Sequence, residues 1–337
     1  MHRVAQVSGY VSSEEKPMSS SEKNNSRITV LYIAGSGRNG STLMERMLNE
    51  IPNVFAAGEL GYARLSKENN VCFCGKTFAD CSVWGSITKN AQFKALEHKY
   101  FSQAIEKYSK GAKTFFRLRS LNKKQKLPDD FKQYLNSLEI LYSAIHKNRA
   151  AKVITDSTTL PLYGYHLSLI PLIDLYIVHL IRDPRGVANS RNRQKFLPNS
   201  NVPTVSKTIN PILTVLSWIK KNLFIEFIFS RRKGRYLRIH YEDFIENPSK
   251  EIKKIGSMLG LELNHLDLIE GNKIKLGECH LSAGNIGLLG KEEIVLKLDE
   301  RWKHDMKWWN IVLVTLITWP LLLKYFIVDK MMKKKRV

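Results

Sequence analysis

Residues Ile28-Thr-Val-Leu-Tyr-Ile-Ala-Gly-Ser-Gly-Arg-Asn-Gly-Ser-Thr-Leu-Met-Glu-Arg-Met-Leu-Asn-Glu-Ile51 read as a strand, a glycine-rich turn and a helix. The positions before Gly35 are β-branched or apolar, and after Thr42 the apolar residues Leu43, Met44, Met47, Leu48 and Ile51 follow a helical period. Between the two, Gly35, Gly37 and Gly40 let the backbone turn sharply and aim its N–H groups, backed by the helix dipole, at a bound phosphate. The stretch is an anion cradle.

Three phosphate ligands compete for it. Gly35-Ser-Gly37-Arg-Asn-Gly40 satisfies G-x-G-x-x-G after a strand, and Glu59 lies about where a dinucleotide fold keeps its ribose-binding acid, so one reading is an NAD(P)-dependent oxidoreductase. Gly35-x4-Gly40-Ser41-Thr42 also resembles a nucleoside triphosphate loop, but Ser41 stands where that loop needs the lysine that reaches the β and γ phosphates. A kinase or ATPase would lack its main cation. The third reading takes Arg38, inside the turn, as the cation, which suits a nucleotide with a single 5′-phosphosulfate.

A second stretch favours the third reading. Leu175-Tyr-Ile-Val-His-Leu-Ile-Arg182-Asp-Pro-Arg-Gly-Val-Ala-Asn-Ser190 reads as a buried parallel strand ending in charge, followed by a helix that Pro184 opens in its first turn. Arg182 at the strand end and Ser190 two turns into the helix can converge on one anion. The pairing of a 5′ loop with strand-Arg-x7-Ser resembles the PAPS-dependent sulfotransferases, which use 3′-phosphoadenosine 5′-phosphosulfate. In that family the first motif holds the 5′-phosphosulfate and the second the 3′-phosphate.

Further matches extend the resemblance from about Ile28 to about Lys307. Arg235-Tyr-Leu-Arg-Ile-His-Tyr-Glu-Asp-Phe-Ile-Glu-Asn-Pro248 looks like the family's Tyr-Glu-Asp-Leu strand, loop with proline and closing helix. Trp218-x3-Asn222, His280-x3-Gly284-Asn285 and the cluster Cys72-Phe-Cys74-Gly75-x2-Phe78-x2-Cys81-x2-Trp84 are similar to segments of bacterial members. The run from Arg38 to Glu59 also resembles the tyrosylprotein sulfotransferases, whose catalytic carboxylate lies at a comparable distance beyond the loop. The resemblance implies a three-layer α/β fold: a central, mostly parallel sheet, a P-loop-like 5′-phosphosulfate loop, and helices on both faces. It also implies a sulfotransferase domain over 27–307.

The resemblance assigns roles as well. Sulfuryl transfer builds negative charge on the departing phosphate, and Arg38 is the cation to meet it, with Gly37, Asn39, Gly40, Ser41 and Thr42 as phosphate donors. Glu59, after the strand-like Val54-Phe-Ala-Ala, is the base for the acceptor hydroxyl, with Asp156 and His280 in reserve. Arg182 and Ser190 take the 3′-phosphate, and Tyr241 packs near the adenine. No catalytic metal is required. Bacterial relatives commonly read Asp-Ser-Ser-Lys where this chain has Asp156-Ser157-Thr158-Thr159, so a lysine is missing, and Lys152 precedes the site where one is wanted. Relatives also continue differently after Gly284-Asn285, which leaves the late loop's part in nucleotide binding open. A chain that keeps the fold but only binds nucleotide at a membrane is a further alternative.

The whole-chain numbers set limits. The 337 residues carry 53 Lys plus Arg against 31 Asp plus Glu, a formal charge of +22, with basic groups at Lys123-Lys124, Arg191 to Lys195, Arg231 to Arg235 and Lys330 to Arg336. Such a chain steers anions: PAPS, an acidic glycan, or an anionic membrane surface. Nucleic acid is not indicated, since no zinc finger, RNA-binding aromatic motif or recognition helix is evident. Residues 1–26 are rich in Ser, Glu, Lys and Asn and read as disordered rather than as a signal peptide, which points to the cytoplasm.

Residues 308–323 form a stretch of 16 without a charge, followed by Lys324 and a basic tail. A spanning helix wants about 20 apolar residues, and Asn310, Pro320 and Lys324 count against a clean span, so a helix docked on the domain or lying on a membrane is expected. Cys72, Cys74 and Cys81 are spaced Cys-x-Cys-x6-Cys, away from the usual paired zinc-ligand spacing. A disulfide from Cys81 to one of the other two, or buried thiols, is expected instead. Residues 90–149 read as helices covering the cleft, without naming the acceptor, for which a glycan or glycolipid hydroxyl is favoured by the basic charge and the apolar tail.

Overall fold

The computed structural model describes residues 27–62, 71–89, 98–192, 210–263 and 269–328. The segment 1–26, part of the helical stretch from 90, residues 193–195 of one basic group and the tail from 330 lie outside the described residues.

The chain runs β1 (Ile28–Ala34), α1 (Ser41–Asn49), β2 (Val54–Ala56), α2 (Trp84–Lys89), α3 (His98–Tyr108), α4 (Ala112–Lys123), α5 (Asp129–Arg149) and β3 (Val153–Asp156). It continues through α6 (Pro161–Leu167), β4 (Ile173–Ile181), α7 (Pro184–Asn192), α8 (Pro211–Phe229), β5 (Tyr236–His240), α9 (Tyr241–Glu246) and α10 (Pro248–Leu259). Three short strands follow, β6 (Ile269–Glu270), β7 (Lys273–Lys275) and β8 (Glu293–Val295), then α11 (Trp302–Asp305) and α12 (Trp308–Leu322).

The first five strands form one sheet in the order β2-β3-β1-β4-β5, with every neighbouring pair parallel. β1 is central because its residues are apolar on both faces, and alternate side chains feed opposite cores. Val30, Tyr32 and Ala34 pack with Phe131, Tyr134 and Leu138 of α5 and with Ile225 and Phe229 of α8. Leu31 and Ile33 pack with Met44, Met47 and Leu48 of α1 and with Ile252 and Ile255 of α10. Each such buried side chain contributes roughly 1.5–3 kcal/mol relative to an exposed one. The result is the three-layer α/β sandwich expected from the motifs. All five carboxyl ends point the same way, and ligands of open parallel sheets gather outside those ends.

The second sheet, β6-β7-β8, is antiparallel and has no counterpart in the sequence reading. Its strands are two or three residues long, too short for an alternating pattern to register. A smaller difference concerns Tyr241-Glu-Asp: β5 stops at His240, and Tyr241 begins a helix instead of ending a strand.

At the far end of the chain, Pro320 sits inside α12, and a π-helical turn, Leu323–Val328, follows directly. Proline lacks the backbone donor that would bond the carbonyl four residues earlier. One edge of α12 docks on the domain, with Val314 against Ala188 and Val215. Tyr325 is buried beside Val187 and Trp218, and both its hydroxyl and Lys324 Nζ reach Glu226. The opposite edge is apolar and open to solvent, with Trp308, Trp309, Leu316 and Trp319 all at least half exposed. Residues 308–327, with mean hydropathy 1.7, satisfy the length and composition of a membrane span.

Candidate active site

The turn after β1 is tighter than its glycines alone require. Asn39, 1% exposed, donates from Nδ2 to the Leu180 carbonyl at 3.1 Å and accepts from the Ser41 amide at 3.2 Å, tying the loop to the end of β4. Its side chain therefore builds the loop and does not line the cleft, which leaves its backbone N–H as the group it can offer a phosphate. Gly40 has φ 98°, and a Cβ there would sit 2.6 Å from the Tyr241 ring, so both the conformation and the close approach demand glycine. Arg38 also adopts a left-handed conformation, φ 74°, which a non-glycine residue rarely does outside a functional turn.

That conformation turns Arg38 toward the second motif. Its Nε donates to Ser190 Oγ on α7 at 3.1 Å, and Arg182 Nη1 donates to the Arg38 carbonyl at 3.0 Å. Arg182, 6% exposed, is fixed further: Trp218 Nε1 donates to its carbonyl, its guanidinium lies 4.4 Å from the Tyr241 ring centre, and it pairs with Asp299 at 3.0 Å. Asp299 also binds Arg301 at 2.7 Å.

These groups border one cleft of about 690 Å³, within the range that holds a small ligand. Of the residues singled out in the sequence, Gly37, Arg38, Gly40, Ser41, Thr42, Glu59, Arg182 and Ser190 all line it. So do Tyr241 and Thr159, and the late loop contributes Gly284 and Asn285, whose place the sequence leaves open. The amide of Asn285 donates to Thr42 Oγ1 at 3.0 Å. Lys297, Asp299 and Arg301 also line it, without any signal in the sequence reading. Among the described residues, none of 98–149 lines the cleft, and the helices expected to cover it pack on the sheet face of Val30, Tyr32 and Ala34.

Glu59 follows β2 and reaches the cleft from the edge of the sheet. Burial, helped by the charge of Asp156, pushes its carboxyl up to about 7, while Lys221 and Arg38 draw it back. The two reserve bases are engaged elsewhere. Asp156 is fully buried, accepting from Tyr142 Oη at 2.6 Å and from the Thr158 amide at 2.7 Å, and the His280 ring faces Cys72 and Cys81.

A lysine missed by the sequence reading stands beside Thr159, the position where the resemblance expects one. Lys221 of α8 donates from Nζ to the Thr159 carbonyl at 2.7 Å, and burial together with the charge of Arg191 lowers it to about 8, against the pull of Glu59. Lys152 is exposed at the opposite end of β3. Behind Glu59, the carboxylate of Glu45 on α1 accepts from the Gly58 amide, Thr155 Oγ1 and Ser157 Oγ at 3.2, 3.0 and 2.6 Å. It is fully buried, and burial raises it to about 8.

The profile of the sulfotransferase family matches residues 31–265. The chain belongs to the sulfotransferase family. The oxidoreductase reading falls with that match, and the sheet gives the physical reason. β2, which Glu59 follows, is separated from β1 by β3, whereas the ribose acid of a dinucleotide fold follows the strand beside β1.

Carbohydrate sulfotransferase 1 of Danio rerio is 31% identical to this sulfotransferase over 136 residues, which make up 34% of this chain and 32% of that protein. The match thus spans about a third of the relative. Among solved structures, the sulfotransferase domain from the Synechococcus PCC 7002 olefin synthase is 19% identical, with 87% of this chain and 95% of that one covered and a TM-score of 0.47. The sulfotransferase domain from the curacin biosynthetic pathway is 17% identical, with coverages of 86% and 98% and a TM-score of 0.47.

Proposed function

We propose that this sulfotransferase moves a sulfuryl group from PAPS to a hydroxyl of a glycan or glycolipid. The observation that carries the reading is the meeting of Arg38 with Ser190 and of Arg182 with the Arg38 backbone, which joins a 5′ and a 3′ anion site across the ends of β1 and β4. The acceptor oxygen bonds to sulfur as the bond from sulfur to the bridging phosphate oxygen breaks, and 3′-phosphoadenosine 5′-phosphate leaves. Glu59 receives the acceptor's proton. Arg38, with Lys221 as the second positive charge, meets the negative charge growing on the bridging oxygen, and Ser41 and Thr42 donate to the 5′-phosphate. Arg182 and Ser190 bind the 3′-phosphate, which distinguishes PAPS from adenosine phosphosulfate.

The choice of acceptor class draws on the carbohydrate relative and the positive charge of the chain. Besides the apolar edge of α12, Leu213, Leu223 and Phe227 of α8 are exposed, and the sequence beyond α12 carries Lys333-Lys-Lys-Arg336. An anionic bilayer surface satisfies both features, with the apolar edge in the interface and the basic tail on the headgroups. The acceptor is then met at the membrane.

The deciding experiment is calorimetric titration with 3′-phosphoadenosine 5′-phosphate, 5′-AMP and NAD, on the wild type and Arg182→Ala. Preference for the bisphosphate, lost in the variant, is the expected result. Equal binding of 5′-AMP, or preference for NAD, overturns the reading.

A further inference from the structure

Cys72, Cys74 and Cys81 come from one loop, and His280 from a segment two hundred residues later, yet their sulfur and nitrogen atoms all lie within 4.8 Å of one another. Cys72 and Cys81 are buried and His280 is 8% exposed. We propose that these four side chains hold a single zinc ion in a closed, structural Cys3His site.

The distances carry the argument. Around a tetrahedral zinc, with bonds of about 2.3 Å to sulfur and about 2.05 Å to nitrogen, neighbouring sulfurs are about 3.8 Å apart, and sulfur and nitrogen about 3.6 Å. Cys72 and Cys81 have their sulfurs 3.7 Å apart, and His280 Nδ1 lies 3.8 Å from the first and 3.3 Å from the second. A disulfide requires about 2.05 Å. All four cysteines are free, so of the two states expected for this cluster, disulfide or buried thiols, the disulfide is not formed.

The surroundings suit a thiolate centre. The amide of Trp84 points at Cys81 Sγ at 3.5 Å, and the amides of Cys74 and Lys76 hydrogen-bond the sulfurs of Cys72 and Cys74. The Trp84 indole donates to the His280 carbonyl at 2.6 Å, which fixes that residue's backbone. His280 faces the cluster through Nδ1, and its Nε2 faces the Glu278 carboxylate at 4.0 Å, the placement that outer partners of metal-bound histidines take. Three sulfurs and one imidazole select zinc among common ions. With four protein donors no position remains for substrate, so the ion has no part in sulfuryl transfer.

Its role is a clamp. The ion ties the loop of Cys72–Cys81 to the segment that runs through Ser282 and carries Gly284 and Asn285 into the cleft. Ser282 donates twice to the Ala57 carbonyl, and a Cβ on Gly58, φ 81°, would meet the Ala283 carbonyl at 2.6 Å. The clamp therefore bears on the turn that presents Glu59.

The test is elemental analysis of the full chain, purified after growth in zinc-supplemented medium and exchanged into metal-free buffer. One zinc per chain is expected, released when a mercurial reagent titrates the thiols, and removal by chelator lowers the melting temperature by several degrees. Cys81→Ser and His280→Ala lose the zinc. Should either variant fail to fold, cobalt exchanged into the wild type probes the same site, because tetrahedral cobalt–thiolate coordination has intense visible bands. A wild-type chain that folds without metal, melts at the same temperature with and without chelator and gives no cobalt bands overturns the proposal.

Discussion

Arg182 Nη2 and Asp299 Oδ2 are 3.0 Å apart, both largely buried, so the guanidinium assigned to the 3′-phosphate is paired with a carboxylate from the same chain. A phosphate that takes Arg182 has to displace Asp299. Arg182→Ala is expected to weaken 3′-phosphoadenosine 5′-phosphate by about 10- to 150-fold, the value of a charge-assisted hydrogen bond. Asp299→Asn is expected to tighten it several-fold by removing the competitor. Calorimetric Kd values for the two variants check both signs.

Arg38→Ala removes the cation nearest the departing phosphate. Loss of a preorganised donor of this kind costs about 10² to 10³ in kcat. The expected pattern is a large fall in kcat with a smaller change in bisphosphate affinity, measured as product release with PAPS as donor. An unchanged kcat would remove Arg38 from the reaction.

Glu59 and Lys221 predict the pH dependence together. The base must be ionised, so activity rises as pH passes about 7, and the lysine must be protonated, so activity falls as pH passes about 8. The kcat/KM profile is therefore a narrow bell. Glu59→Gln abolishes most activity, and Lys221→Met lowers kcat and removes the alkaline limb. A flat profile from pH 6 to pH 9 would contradict both roles.

Glu45 predicts a stability effect of definite sign. Its folded-state value, about 8, lies above the ordinary 4.5, so the native chain holds a proton that the unfolded chain releases between those limits. Its contribution is complete below pH 4.5 and is lost as pH rises through about 8. Glu45→Gln keeps the shape without the titration, and its urea midpoint should fall less than that of the wild type from pH 5 to pH 8.

The apolar edge of α12 predicts lipid binding. The chain should sediment with vesicles containing phosphatidylserine and remain free of neutral vesicles at moderate salt, with binding weakened as salt screens the basic tail. Replacing Trp309, Leu316 and Trp319 by serine should abolish it. Each is at least half exposed, so the domain should still fold.

The parts legible in the sequence are those whose chemistry lies in consecutive residues. The β1 loop and the strand-Arg-x7-Ser run each bring a strand, a turn and a helix within one short stretch, and their convergence follows once β1 and β4 are neighbours. Lys221 is hidden because it sits mid-helix on α8, 62 residues from Thr159, and only packing of that helix on the sheet joins them. Lys297, Asp299 and Arg301 arrive from a segment with little regular structure, which periodicity cannot place. The bracing part of Asn39 is hidden for a similar reason: it lies inside the legible loop, but its side-chain partner Leu180 comes from the end of β4. The cysteine spacing lacks its fourth partner, since nothing local links Cys81 to His280.

The left-handed backbone of Arg38 sets stability against chemistry at one position. A side chain there costs roughly 1–2 kcal/mol that glycine would not. Arg38→Gly would relax the turn and remove the cation in the same step. Stabilising the chain by selecting for thermal resistance alone would thus draw this residue toward glycine, and a library screened without an activity readout would enrich sturdier, silent enzymes.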